Sequence, residues 1–330
     1  MIDDILTKLD PKLRKLLERG SDFHIERQST PSLLMNKALK GGLAYGRQVL
    51  IWGSKSAGKS MFCLLLVGQA QREGKTCAWI DSENSFVTEW APRLGIDPHA
   101  LIVSRAHKVN DMVDIGTELM KAGIDILVVD SISALMPAVY FDKDGALKDL
   151  SDTKQMGAMA RDMANAVTML NYSNDNTLLI LISQQRKKLG SMFVSNIPTG
   201  GEASRFFSST IVKLFSSETE NNAIKGTVRI GERDIEKVIG REVSWLIEAN
   251  KLGPAFESGK YKVIFEGDDV GIDAAEELVS VMELQGLENF GIEKRAAWYY
   301  RGDDKWQGRS ALVEAVRNDE SLRESILNVL

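Results

Sequence analysis

Eight residues, Gly53-Ser54-Lys55-Ser56-Ala57-Gly58-Lys59-Ser60, place small and turn-forming positions ahead of a lysine and a hydroxyl. Glycines at this spacing let successive backbone N–H groups turn inward around a phosphate, and the helix that follows adds its positive end. Lys59 then reaches the outer phosphates of a nucleoside triphosphate, and Ser60 offers an oxygen to Mg²⁺. An apolar run over residues 47–52 leads in and a helical pattern over 61–72 leads out. That context separates a phosphate loop from a plain glycine turn. A second apolar run, 126–129, ends in Asp130. An acid at a strand end beside such a loop supports a metal-bound water, whereas without the loop it would read as a cap. The run over 76–80 ends in Asp81-Ser82-Glu83-Asn84. One of these acids can polarise an attacking water, and Glu83 is the better choice; its competing role is to fill the first turn of the next helix.

Those residues need a scaffold. Short apolar runs at 47–52, 76–80, 101–104, 126–129 and 178–182 read as buried parallel strands. Helical stretches at 61–72, 112–122 and 154–170 are long enough to cross between them and cover both faces of the sheet. Strands at 208–215, 227–230, 243–248 and 261–265 extend it, and from Asp273 helices return around a Trp298-Tyr299-Tyr300 strand. The pattern predicts an α/β protein with a mostly parallel central sheet. A short helical arm (1–30) precedes a core (31–268) and a small C-terminal α+β domain (269–330). The arm carries Ile5, Leu6, Leu9, Leu13, Leu16 and Leu17 at helical spacing, broken by Pro11. A helix that short must pack on something, either its own domain or another copy.

Across 330 residues, 44% hydrophobic and 26% charged content excludes a disordered chain. Residues 1–8 lack the order of a signal peptide, and with no run of eighteen apolar residues a cytoplasmic protein without a membrane partner is expected. Cys63 and Cys77 lie in apolar stretches and read as reduced core thiols, and the three histidines have no metal-ligand spacing. A net charge of -5 argues against gripping nucleic acid through the overall field but leaves a local basic groove open. The patternless stretch 185–201 holds Arg186-Lys187-Lys188, Met192 and Phe193. Cations there would attract phosphates and apolar side chains would rest against bases; the competing reading is a solvated surface turn.

In order and spacing, the phosphate loop, residues 71–83, Val128-Val129-Asp130-Ser131, the stretch from Asn176 through Ser183-Gln184, and Thr199-Gly200-Gly201 resemble the RecA family of DNA strand-exchange ATPases. Ala297-Trp298-Tyr299 and Gln307-Gly308 are similar to that family's small accessory domain, and the match is weakest at 1–30, 216–242 and 265–295. The resemblance implies a RecA-like core using ATP and Mg²⁺. In it Lys59, Ser60 and Asp130 serve the phosphates and metal, Glu83 is the catalytic acid, and Gln184 senses the γ-phosphate and signals to the DNA loop that follows.

It also implies that Trp90 stacks on adenine, with core packing as the alternative. Arg161, Arg186, Lys187, Lys188, Met192, Phe193, Gly200, Gly201 and Arg205 would contact DNA. Residues 141–152, acidic here, match the first DNA loop by position only, and Thr168 stands where another cation is common. Lys251 corresponds to a cation reaching a neighbour's γ-phosphate, but Ala249 replaces its companion; either Lys251 suffices or Arg241 or another nearby cation substitutes. Lys55 stands where an acid is common and would restore part of that charge.

The implied partners are single-stranded and double-stranded DNA and further copies in a helical filament, with the arm docking on the adjacent protomer. A short arm and no acidic tail would suit a virus-encoded member. A ring-forming helicase or translocase shares the core, but the Trp298 region favours a recombinase. A non-catalytic mediator is disfavoured by intact Lys59, Ser60, Glu83 and Asp130.

Overall fold

Strands in which every residue is apolar must be covered on both faces, and the computed structural model of the chain builds them so. It describes residues 2–14, 17, 20–22, 24–142, 144, 147–148, 158–187, 196–216, 222–231, 233–267 and 270–330. Chain order begins with α1 (Ile2–Thr7), α2 (Pro11–Arg14), β1 (Arg27–Gln28), α3 (Leu33–Ala38), β2 (Leu43–Ala44), β3 (Gln48–Gly53) and α4 (Lys59–Arg72). It continues with β4 (Cys77–Asp81), β5 (Leu101–Ser104), α5 (Val109–Lys121), β6 (Ile126–Asp130), α6 (Ala158–Tyr172), β7 (Leu178–Lys187) and β8 (Asn196–Pro198). Then come α7 (Gly201–Phe207), β9 (Thr210–Phe215), β10 (Ala223–Ile230), β11 (Arg233–Asn250), β12 (Ser258–Ile264), β13 (Gly271–Ile272) and α8 (Ala274–Gln285). The chain closes with β14 (Glu293–Arg295), β15 (Trp298–Arg301), β16 (Asp304–Gln307), α9 (Gly308–Asn318) and α10 (Glu320–Leu327).

Among the described residues the main sheet runs β13-β12-β11-β9-β3-β7-β6-β4-β5, with β10 on β11 and β8 on β7. The six strands from β9 to β5 are mutually parallel, and the flank beyond β9 is antiparallel. Alternate residues of one strand serve two cores. In β6, Ile126 and Val128 face a cluster with Phe62 and Leu66 of α4, while Leu127 and Val129 face one with Met112 of α5 and Val167 of α6. A third cluster joins α8, α9 and α10 to Tyr299. It is tied to the core by Glu277, whose carboxylate accepts from Ser32 Oγ at 2.7 Å and from the Leu33 N–H, capping α3.

Two readings from the sequence need correction. The strand expected to stop at Ile182 continues to Lys187 and pairs with β8, Arg186 opposite Ile197, so Arg186 and Lys187 lie on a strand and not in an irregular loop. β11 runs from Arg233 to Asn250 rather than over 243–248, because its residues 233–239 leave the core as a ribbon paired with β10 and not with β12. Its alternating polar residues there carry no buried signature.

The arm forms two short helices, α1 and α2, with Ile2, Ile5, Leu13 and Leu17 about half or more exposed. Leu16, residues 154–157 of the expected helix, most of the acidic stretch 141–152, and Lys188, Met192 and Phe193 lie outside the described residues. Cys63 and Cys77 are buried and unpaired with each other. No described helix is long and apolar enough to cross a membrane.

Candidate nucleotide site and nucleic-acid interface

Parallel register gathers the chemistry at one edge of the sheet. Gly53 pairs with Gln184 and Asp81 with Asp130, so four strand ends open on the same side. At Gly53 the neighbouring strand passes so close that a Cβ would lie 1.9 Å from the Leu214 carbonyl oxygen, which only glycine tolerates. Gly58 turns the chain into α4 at φ 85°, a left-handed conformation that glycine adopts without strain. Lys59 is buried and its Nζ donates to the carbonyls of Gly53 at 3.2 Å and Ser54 at 2.7 Å, spanning its own loop. Burial lowers its pKa, opposed by the charges of Asp130 and Glu83. Lys55 is exposed on the loop and Ala57 is buried.

Asp130 is 2% exposed, and burial pushes its carboxyl up to about 6, opposed by a hydrogen bond from Ser60. Its Oδ2 is buried without a hydrogen-bond partner among the described residues. An uncompensated carboxylate oxygen beside a hydroxyl, next to a phosphate loop, suits Mg²⁺, which takes few protein oxygens and completes its shell with water and phosphate. No group of three or more His, Cys, Asp or Glu that could hold a metal occurs among the described residues. The pairing of Ser60 with Asp130 fits a cation carried in by a nucleotide.

Asp81, the other acid on this turn, is engaged. Its two oxygens accept from the Ser85 N–H at 3.0 Å and the Phe86 N–H at 2.9 Å, shaping the turn. Glu83 instead faces the site: its Oε1 accepts from Ser131 Oγ at 2.5 Å and from Gln184 Nε2 at 2.8 Å. Behind it, Ser82 Oγ accepts from the Ser131 N–H at 2.8 Å and donates to the Ser131 carbonyl at 2.7 Å. Gln184 is anchored through its N–H to Ser133 Oγ at 2.8 Å, and its carbonyl accepts from the Thr199 N–H at 3.0 Å.

Trp90 is half-buried. It lines one cavity of about 170 Å³ with Ser60, Glu83 and Asp130, and a second of about 290 Å³ with Ser56, Gly58, Met61, Arg241, Val243 and Phe265. Both of its expected roles are therefore compatible with its place, since it also packs on the core. Phe265 was missed from the sequence, and Arg241 was considered only as a stand-in cation. They lie far along the chain from residues 53–60, and no local pattern links them.

Lys251 stands elsewhere. Asn250 pairs with Thr210, which pairs with Val49, four residues before Gly53 in β3. At about 3.3 Å per residue that is about 13 Å toward the opposite edge of the sheet. Lys251 Nζ there donates to the Phe206 carbonyl at 2.6 Å and lies 5.7 Å from the ring of Phe206, itself 73% exposed. It is thus not brought to its own chain's phosphate loop, whereas Arg241 is.

Of the expected nucleic-acid contacts, Arg161, Arg186 and Arg205 are exposed, on α6, β7 and α7. Lys187 ends β7, and Gly200 and Gly201 start α7. Lys188, Met192 and Phe193 are outside the described residues. Residues 11–270, more than three quarters of the chain, match the family described as the RecA N-terminal domain.

Proposed function

The chain belongs to the RecA family, and on that premise we propose that it is an ATP-dependent DNA recombinase that assembles on single-stranded DNA and pairs it with homologous duplex. Membership supports a RecA-like P-loop ATPase core with nucleotide use in general. One observation carries the finer reading: Glu83 at the phosphate loop is hydrogen-bonded to Gln184 on the strand that runs on into Arg186 and Lys187. Hydrolytic acid and cationic segment are thereby joined by one side-chain contact.

ATP with Mg²⁺ supplies the phosphoryl chemistry when bound. The backbone N–H groups of residues 54–59 and Lys59 hold the phosphates, Ser60 and Asp130 support the cation, and Glu83 takes the proton of the attacking water at its carboxylate. Trp90 and Phe265 flank the base. The Gln184 amide would leave Glu83 to meet a bound γ-phosphate, and the β7–β8 hairpin would feel that exchange through Thr199, which donates to the Gln184 carbonyl. Cations on the hairpin then meet the DNA backbone, so binding weakens with salt and sequence is read by base pairing.

Lys251 and exposed Phe206 supply the contact to the next protomer's nucleotide, and the apolar arm docks on that protomer, giving a helical filament. Strand exchange between a circular single strand and a linear duplex tests this. ATP-dependent joint molecules are expected; DNA-stimulated hydrolysis without any pairing would point instead to a translocase.

A further inference from the structure

Glu83 takes two donors on one oxygen, and they come from elements of different kinds. Gln184 sits on β7, whose far end pairs with the short β8 and leads into the cationic segment. Ser131 is fully buried at the end of β6. Its N–H and carbonyl are both clipped by the Ser82 hydroxyl, and the Ser82 N–H donates to the Asp130 carbonyl at 2.8 Å, carrying the β4–β6 ladder one step past the strand ends. His107 Nδ1 lies 3.2 Å from the Ser82 carbonyl oxygen and further braces that turn.

We propose that Ser131 is the positioning residue for Glu83: its hydroxyl, carried on a buried and doubly clipped backbone, keeps the carboxylate aimed while the second donor, Gln184, is exchanged between Glu83 and phosphate. This rests on Glu83 being the hydrolytic acid. A carboxylate with free χ angles samples several staggered rotamers. If Gln184 alone held it, the departure that signals bound triphosphate would also release the acid just when its aim matters. A separate, fixed donor removes that conflict, and Ser82 serves to orient the donor and not the acid.

The test uses the full-length Ser131→Ala and Ser131→Thr variants. For Ser131→Ala, kcat of DNA-stimulated ATP hydrolysis is expected to fall about 10- to 100-fold, the worth of one hydrogen bond to a charged group. KM for ATP and affinity for a non-hydrolysable ATP analogue stay within twofold, and Ser131→Thr, which keeps the hydroxyl, recovers most of the rate. Unchanged kcat, or joint loss of rate and analogue affinity that threonine does not repair, overturns the proposal.

A crystal structure of Ser131→Ala without nucleotide gives a readout independent of turnover. The Glu83 carboxylate should leave its wild-type position, and an unmoved carboxylate also overturns the proposal. If wild type itself fails to hydrolyse ATP while the carboxylate moves in the variant, the functional reading fails and the positioning role stands.

Discussion

The two edges of the parallel sheet differ in how finished they are. At the edge where β3, β4, β6 and β7 end, three polar side chains are braced within one chain: Lys59 over its loop, Asp130 by Ser60, Glu83 by Ser131 and Gln184. At the opposite edge Lys251 rests on exposed Phe206; elsewhere on the chain the N-terminal helices present exposed Ile2, Ile5 and Leu13. Lys59 and Asp130 are fixed by burial and exposed Glu83 by its two donors, while the other edge carries a cation against an exposed ring without comparable bracing. The proposed function assigns that difference to an active site completed between copies.

The largest effects are expected from breaking the finished edge. Glu83→Gln should lower DNA-stimulated hydrolysis by about 10³-fold, within the range for loss of a general base, while leaving ATP binding intact. Turnover assays with analogue titration check both halves.

Next is a test of which edge belongs to which copy. Lys251→Ala should cost on the order of 10²- to 10³-fold in rate, as for loss of a charge clamp, and mixing it with Lys59→Ala should restore activity, because one mixed interface joins an intact phosphate loop to an intact Lys251. Arg241→Ala, lying at its own loop, should raise KM about tenfold and gain nothing from mixing. If Lys251→Ala is not complemented, the two edges are not joined across an interface. Deleting residues 1–20 should leave a folded protein that binds ATP analogue but no longer sediments as a filament with DNA.

The smallest expected effect lies inside the chain. Burial pushes Glu277 up to about 7, against the hydrogen bonds from Ser32, Leu33 and Leu34. Because its folded value lies above the ordinary 4.5, the folded protein holds the proton longer than the unfolded chain. The stabilising contribution is therefore full below about 4.5 and lost as pH rises through about 7, a swing of at most about 3 kcal/mol. Thermal melts should show stability falling from pH 5 to 8, with a flatter slope in Glu277→Gln. An equal slope in the variant would place the dependence elsewhere.

What was legible in the sequence follows the same division. Gly53 to Ser60, Glu83, Asp130 and Gln184 sit at the ends of buried strands, where an unbroken apolar run changes abruptly to polar residues, so both strand and site can be read together. The β10–β11 ribbon and the last residues of β7 are solvated on at least one face and lose that contrast. Phe265, Arg241, Ser131 and the Glu277 cap reach their partners through tertiary folding alone; the Ser32–Glu277 contact spans 245 residues. Lys251 is legible in the sequence as a cation just after a strand, but only the register of β11 on β9 and of β9 on β3 separates it from its own phosphate loop.

The central claim is that a triphosphate held between copies controls how the segment after Gln184 grips DNA. Binding of a labelled single-stranded oligonucleotide, followed by sedimentation with a non-hydrolysable ATP analogue, with ADP and with no nucleotide, tests it most directly. Tight, salt-sensitive binding in large assemblies is expected with the analogue and weak binding in the other two. Equal affinity in all three, by a protein that stays monomeric, would contradict it.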